Sequence, residues 1–340
     1  MRAGRQAWLI GGAAVLLIVL ALFTTMQGVT QIGVGEAVRA LFAPLFPPAP
    51  SGGLTEQDIA ILTGLRLPRT LLAIIAGAAL ASAGVAMQGI TRNPLVSPYT
   101  LGISPAASFG ASIAILTLGD HGPALVGAAF LSALICAAIV LGLATLRGIS
   151  GTVLVLAGVG LSYLFGALTA TLQFIATEQQ LAVIVHWAFG SVNGATWNAV
   201  LVTGSVLLAT LPLLWGQAWA LNAFAAGGDE VAASLGFRVM RVRVVVTLAS
   251  VLMTAAIVSF AGVIGFVGLI APHVGRLLIG GDHRLLLPFS ALAGALLLLL
   301  ADLAGRTLFA PVTVPVGIVV AYLGVPLFLH LLLGRRRRTA

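Results

Sequence analysis

The side chains able to do chemistry are few, and their placement narrows what that chemistry is. Asp302 and Arg306 stand four residues apart, on one face of a helix. In an apolar stretch such a pair is either a working intramembrane ion pair or a helix-end pair snorkelling to the headgroups, and the spacing suits both. The five histidines, His121, His186, His273, His283 and His330, include no two at helical i, i+3 or i+4 spacing, so a bis-histidine metal or haem site on one helix is unsupported. Packing or loop roles fit them better, with His186, beside Trp187, the one placed to touch a passing ligand. Cys136 is the only cysteine and lies in an apolar run, which leaves no disulfide framework and no thiol metal cluster. The basic residues are 17 arginines and no lysine. A phosphate-binding loop of the G-x-x-x-x-G-K-[ST] kind needs its lysine to reach the terminal phosphates, so this chain does not itself carry that nucleotide site.

The elements that hold these residues are membrane helices. Hydrophobic residues make up 60% of the chain and charged ones only 8%, which excludes an ordinary soluble domain. The 41 glycines suit helices packed closely in lipid. The most informative stretch is RLPRTLLAIIAGAALASAGVAMQGITRNPLVSPYTLGIS, Arg66 to Ser104. Its uncharged run of 22 residues, Thr70 to Thr91, is long enough to cross a bilayer core as a helix and has arginine at both ends.

Apolar runs and turn signals predict an all-α polytopic membrane protein of about ten transmembrane helices in a single domain over residues 1–340. The expected spans are Trp8 to Thr25, Ile59 to Ile90, Ser104 to Leu118, Ala124 to Leu146, Thr152 to Ala176, Trp197 to Trp215, Val242 to Gly262, Ile264 to Ile279, Leu285 to Leu303 and Val314 to Leu333. The basic, apolar N-terminus reads as a retained first helix, since no convincing small-residue cleavage site follows it. Gln180 to Ser191 is apolar but too short to span and reads as a re-entrant or interfacial helix. Ser104-Pro105 has the form of a serine cap followed by a first-turn proline.

With the N-terminus inside, Arg2, Arg5, Arg92, Arg147, Arg238, Arg241, Arg243, Arg276, Arg284 and Arg335 to Arg338 fall on the inner side, thirteen of the 17 arginines. Arg39, Arg66, Arg69 and Arg306 remain outside, against the positive-inside trend. An even number of crossings also returns the C-terminal arginines to the cytoplasm. Spans two to five and seven to ten form two four-helix blocks that one extra crossing sets in opposite orientation, as in the inverted repeats of transporters. The inner loop GQAWALNAFAAGGDEVAASLGFRVMRVR contains a Gly227-Gly228-Asp229 turn, a short helix from Asp229 to Leu235 with acids in its first turn, and Gly236 at its stop. Such a helix is shaped either to fit a groove on a cytoplasmic partner or to serve as an interfacial connector.

These motifs resemble the permease subunits of ABC importers for iron siderophores, haem and cobalamin, the type II importers. The resemblance rests on RLPRTLLAIIAGAALASAG, MQGITRNPLVSPYTLGIS, LAGVGLS, WAFGSVNGATW, DEVAASLG, GVIGFVGLIAPHVGRLL, GDHRLLLP and ADLAGRTLFAPVTVPVGIVVAYLGVPLFLHLL, in family order from about Ile59 onward. It implies a permease in the bacterial cytoplasmic membrane with both termini cytoplasmic, paired with a second copy or a paralogue. Two cytoplasmic ATPases would bind the ATP and magnesium, and an extracytoplasmic substrate-binding protein would deliver the cargo. The chain itself would bind no cofactor, metal or nucleic acid and would catalyse nothing. By position in the motifs, Arg66, Arg69 and Arg306 would meet acidic residues of the binding protein. Asp229, Glu230, Ala233, Ser234, Leu235 and Gly236 would contact the ATPases, and Asn93, Leu95, Gly151 and Thr152 would border the inner gate.

The chain departs from the family pattern at Ser104-Pro105-Ala106-Ala107, where many relatives have S-x-G-A. Gly151-Thr152 stands where a small polar pair is common, and the proline-rich Ala43 to Pro50 has no family meaning. An ion-coupled secondary transporter working alone fits the composition but not the nearly uncharged interior. A haem-bearing redox subunit or membrane enzyme fits neither the histidine spacing nor the lone cysteine. Substrate choice among ferric siderophore, haem, cobalamin and oxyanion is not written in the pathway residues; iron-linked cargo is the expectation.

Overall fold

The computed structural model describes residues 2–27, 55–119, 122–147 and 150–334. Arg39, the proline-rich loop 43–50, His121 and Arg335 to Arg338 lie outside the described residues. Within them all regular structure is helical. α1 is Arg2–Met26. α2 is Glu56–Thr91, interrupted by a π-turn at Leu62–Arg66. α3 is Ile103–Leu118, α4 Gly122–Arg147, α5 Gly151–Ile175 and α6 Glu178–Ala188. α7 is Trp197–Gly216, α8 Ala218–Ser234 and α9 Val239–Ala261. α10 is Val267–Ile279, α11 His283–Thr307 and α12 Val316–Gly334.

Side chains that accept from the first free backbone N–H groups set many of the starts. Thr55 and Thr177 form capping boxes with Asp58 and Gln180, and Ser150, Thr196 and Asp282 cap α5, α7 and α11. Among the described residues seven helices, α1, α2, α4, α5, α7, α9 and α11, are long and apolar enough to cross a membrane, whereas α3, α10 and the apolar part of α12 are shorter. α10, with 13 residues, rises only about 20 Å and does not reach across a core of about 30 Å.

Several expectations are corrected. The second helix starts at Glu56 rather than Ile59, and its π-turn brings Arg66 to the end of a widened turn. Ser104 is not a cap: a 3-10 turn at Pro98–Leu101 ends on Gly102, whose φ of 81° makes it the residue before α3 and leaves Ser104 inside the first turn. The expected span from Ile264 begins at Val267, because Gly262 to Phe266 is irregular backbone, with Gly262 and Phe266 at positive φ. The inner loop is mostly helix from Ala218, broken at Gly228.

α2 is the centre of the molecule. Of its most apolar window 78% is buried, against 11% for α1. It packs on α7, α9, α10 and α11. Because lipid chains are as apolar as leucine, helices in a membrane associate by close van der Waals contact rather than by a hydrophobic drive, and small residues permit that contact. At Gly77 an added methyl would enter the Gly294 carbonyl of α11, and at Gly84 it would enter Gly268 of α10.

The two blocks expected from the sequence, α2 to α5 and α9 to α12, pack reciprocally. α2 lies against α11 and α10, and α9 lies against α4 and α3. α2 touches α9, and within each block the second helix packs on the third and fourth, α3 on α4 and α5 and α10 on α11 and α12. Each of these contacts thus has its counterpart when the blocks are exchanged, the pattern a pseudo-two-fold axis produces.

Gly77→Ala is expected to destabilise the protein by about 1–3 kcal/mol through overpacking against α11. Gly127→Ala, at a position with nothing within 4 Å of the added methyl, should leave stability within about 0.5 kcal/mol. Thermal unfolding of the detergent-purified protein checks both.

Candidate functional site: two ends of one helix

The start of α2, the end of α1 and the end of α11 meet at one end of the molecule. Asp302 is buried there, its side chain 4% exposed, and it accepts from Arg69 through both oxygens. The Arg69 Nη2 to Oδ1 distance is 2.8 Å, with Nε at 3.0 and 3.1 Å from the two oxygens. The remaining guanidinium nitrogen of Arg69 donates to Asn193. Arg306, one turn beyond Asp302, reaches it only at 3.8 Å. Its nitrogens donate instead to the Thr24 carbonyl at 2.5 Å and the Gln27 carbonyl at 3.2 Å. Arg66 is 9% exposed and donates to the Met26 carbonyl at 3.0 Å and the Thr25 carbonyl at 3.5 Å.

Two arginines therefore occupy the carbonyls that the last turn of α1 leaves without helical partners. The Trp197 indole donates to the Thr63 carbonyl inside the π-turn at 3.0 Å. Asp302 and Arg306 thus form neither an isolated intramembrane pair nor a snorkelling one: the main partner of Asp302 is Arg69, on another helix. The three arginines grouped by sequence do come together, but folded into the protein rather than held out from it. Nothing in the sequence pairs Arg69 with a residue 233 positions away; an aspartate in an apolar run was the available signal.

The other end of α2 carries the second group. Arg92 ends the helix in the left-handed conformation, φ 52°. Asn93 Oδ1 accepts from the Leu95 backbone N–H at 3.0 Å, tightening the turn, and Asn93 and Leu95 are exposed. Gly151, at the start of α5, packs on Thr91, where an added methyl would stand 2.9 Å from the Thr91 Cα. Thr152 follows it, exposed. All four residues expected at the inner gate thus lie around the end of α2.

Beside them α8 breaks at Gly228, with φ 79° and ψ −151°, a conformation confined to glycine. An added methyl there would stand 2.6 Å from a guanidinium nitrogen of Arg92. The segment after the break matches the expected short helix: Asp229, Glu230, Ala233, Ser234, Leu235 and Gly236 are exposed, Leu235 at 63%, and Gly236 has φ 86°. Asp229 differs from the expectation in one respect. Its carboxylate is bonded at 2.6 Å to Arg243, a buried guanidinium over the Phe224 ring, so it fastens the segment to α9 and α8. Below it Asn222 accepts from the His283 backbone N–H at 2.9 Å and donates to Asp282 at 2.8 Å. The Arg284 hydrogen bonds hold the Asp282 carboxyl well below the usual carboxylate range, with Asn222 adding to the shift.

Irregular backbone inside the helical body is paired across segments, as a water-poor interior demands. The Ser191 N–H donates to the Ala261 carbonyl at 2.7 Å, and the Gly317 N–H to the Gly190 carbonyl at 3.1 Å. The turn after α6 is thereby tied to the break after α9 and to the start of α12. Among the described residues no three His, Cys, Asp or Glu side chains gather as a metal site.

The helical body, with an exposed short helix at one end, fits one class of protein, the membrane subunit of an ABC transporter, and the comparisons with known proteins show it. A solved ABC transporter of the metal-chelate type, in an inward-facing conformation, superposes with a TM-score of 0.81 at 32% identity, covering 94% of this chain and 96% of that one. The chain belongs to the FecCD transport family, whose model matches residues 16–334. An ABC transporter permease protein of Methanocaldococcus jannaschii is 42% identical over 95% of this chain and 94% of its own length. The hemin transport permease HmuU of Yersinia pestis is 37% identical over 97% and 96%. The Fe(3+) dicitrate permease FecD of Escherichia coli is 41% identical over 81% and 86%.

Asp229→Ala and Arg243→Met should show a coupling energy of about 1 kcal/mol in a double-mutant cycle on thermal unfolding, a value lowered by the 47% exposure of the Asp229 side chain. Additive effects would mean that the pair does not anchor the short helix.

Proposed function

We propose that this chain is the membrane permease of an ATP-driven importer that takes a ferric chelate, a siderophore or haem complex, or a related cargo such as cobalamin, from a binding protein and passes it into the cytoplasm. The observation that carries the reading is the match to named iron-chelate and hemin permeases along nearly the whole chain. The chain acts as one permease domain over residues 1–340, crosses the bacterial cytoplasmic membrane about ten times with α6 re-entrant, and keeps both termini in the cytoplasm. The reciprocal packing of the two blocks supports an inverted arrangement.

The working unit is a pair of permeases, identical or paralogous, on two ATPases that bind the ATP and magnesium. The segment from Asp229 to Gly236 is the ATPase contact, Leu235 its most exposed apolar side chain, and the Asp229–Arg243 bond carries its movement into α9. Asn93, Leu95, Gly151 and Thr152 close the inner end. Arg66, Arg69 and Arg306 receive the binding protein at the other.

In proteoliposomes holding the permease, its ATPase and its binding protein, uptake of an iron-55-labelled siderophore or haem is expected to require ATP and to ignore a proton gradient. Uptake by the permease alone, driven by the gradient, would establish an ion-coupled transporter instead. Leu235→Asp should cut ATP-dependent uptake at least about tenfold while the ATPase still hydrolyses ATP, since a charge replaces an apolar contact at a docking surface. Unchanged uptake would reduce the segment to a connector.

A further inference from the structure

We propose that Asp302 is an internal competitor for the carboxylates of the docking protein, so that docking is an exchange of acidic partners on Arg69 rather than an addition to free charges. The inference rests on the docking role given above to Arg66, Arg69 and Arg306.

The bonds of Arg69 carry it. Nε and Nη2 lie on the two Asp302 oxygens and Nη1 on Asn193, so all three of its nitrogens are engaged, and its side chain is only 14% exposed. A bidentate guanidinium–carboxylate pair is the geometry an incoming glutamate or aspartate would itself seek. Such a carboxylate reaches Arg69 in the same manner only by displacing Asp302.

Arg306 is held by the Thr24 and Gln27 carbonyls, neutral acceptors that a carboxylate outcompetes, and Arg66 donates to the Thr25 and Met26 carbonyls of the same turn. Arg306 stands 3.8 Å from Asp302. If an acidic partner draws these arginines outward, the last turn of α1 loses its caps and Asp302 turns to the guanidinium that stays nearest. The buried carboxylate thus limits the affinity of the landing site and returns the arginines to the interior when the partner leaves. It is a positioning residue: it acts on the docking protein only through Arg69.

The test measures capture of the purified cognate binding protein by the permease–ATPase complex in nanodiscs, over a range of salt. Asp302→Asn removes the competing charge and keeps the shape. It should tighten capture about five- to tenfold at low salt and steepen the loss with added salt, because one more positive charge is left to the partner. Asn193→Ala, at an exposed residue, frees only Nη1 and should tighten capture about two- to threefold. A merely structural Asp302 would leave the salt slope unchanged or weaken capture.

Arg69→Gln separates the two ideas. If it weakens capture while folded Asp302→Asn fails to tighten it, the competitor role is overturned and the docking role stands. If Arg69→Gln leaves capture unchanged, the docking role falls and the competitor role with it. Should Asp302→Asn not assemble with the ATPase, Asn193→Ala decides: unchanged or weaker capture overturns the proposal.

Discussion

The close approach of α2 to α10 and α11 is the contact on which the rest depends. Without a hydrophobic drive between helices in lipid, the body is held by backbones near enough for dispersion, and at Gly77–Gly294 and Gly84–Gly268 the separation leaves no room for a methyl group. This fixes one helix in the middle of both four-helix blocks. Its ends then become the two places where the molecule meets charge. One holds Arg66 and Arg69 against Asp302 and the end of α1; the other holds Arg92 against Gly228, where the exposed short helix begins.

The charge at the two ends obeys one rule in two settings. A guanidinium in a poorly hydrated place must be met by acceptors. At the α1 end they are one aspartate, an asparagine and helix-terminal carbonyls; at the other, Asp229 meets Arg243 and Gln88 accepts from Arg276 at 2.5 Å. These bonds turn arginines that look like surface charge in the sequence into joints between helices. α2, held at both ends, physically connects the Asp302 cluster to the exposed short helix.

Much of this was legible in the sequence because membrane helices write their length directly. The expected starts at Thr152 and Trp197 fall within a residue of the observed ones, and the exposed segment from Asp229 to Gly236 was readable from its glycines and first-turn acids. Boundaries failed where backbone conformation overrode composition. Ser104-Pro105 looks like a cap, but Gly102 in the left-handed region had already begun the helix, and the apolar run from Ile264 gives no sign of irregular backbone up to Phe266. The partners of Arg69, Arg306 and Asp229 were hidden for a different reason: long-range pairing depends on which helices touch, and one chain alone does not record it.

In the proposed function one permease joins an outer landing site to an inner ATPase contact, and that connection is measurable in a single assay. In nanodiscs holding the permease and its ATPase, adding the loaded binding protein to the outer face should raise ATP hydrolysis inside. Hydrolysis indifferent to the binding protein, in a complex shown to capture it, would contradict the account.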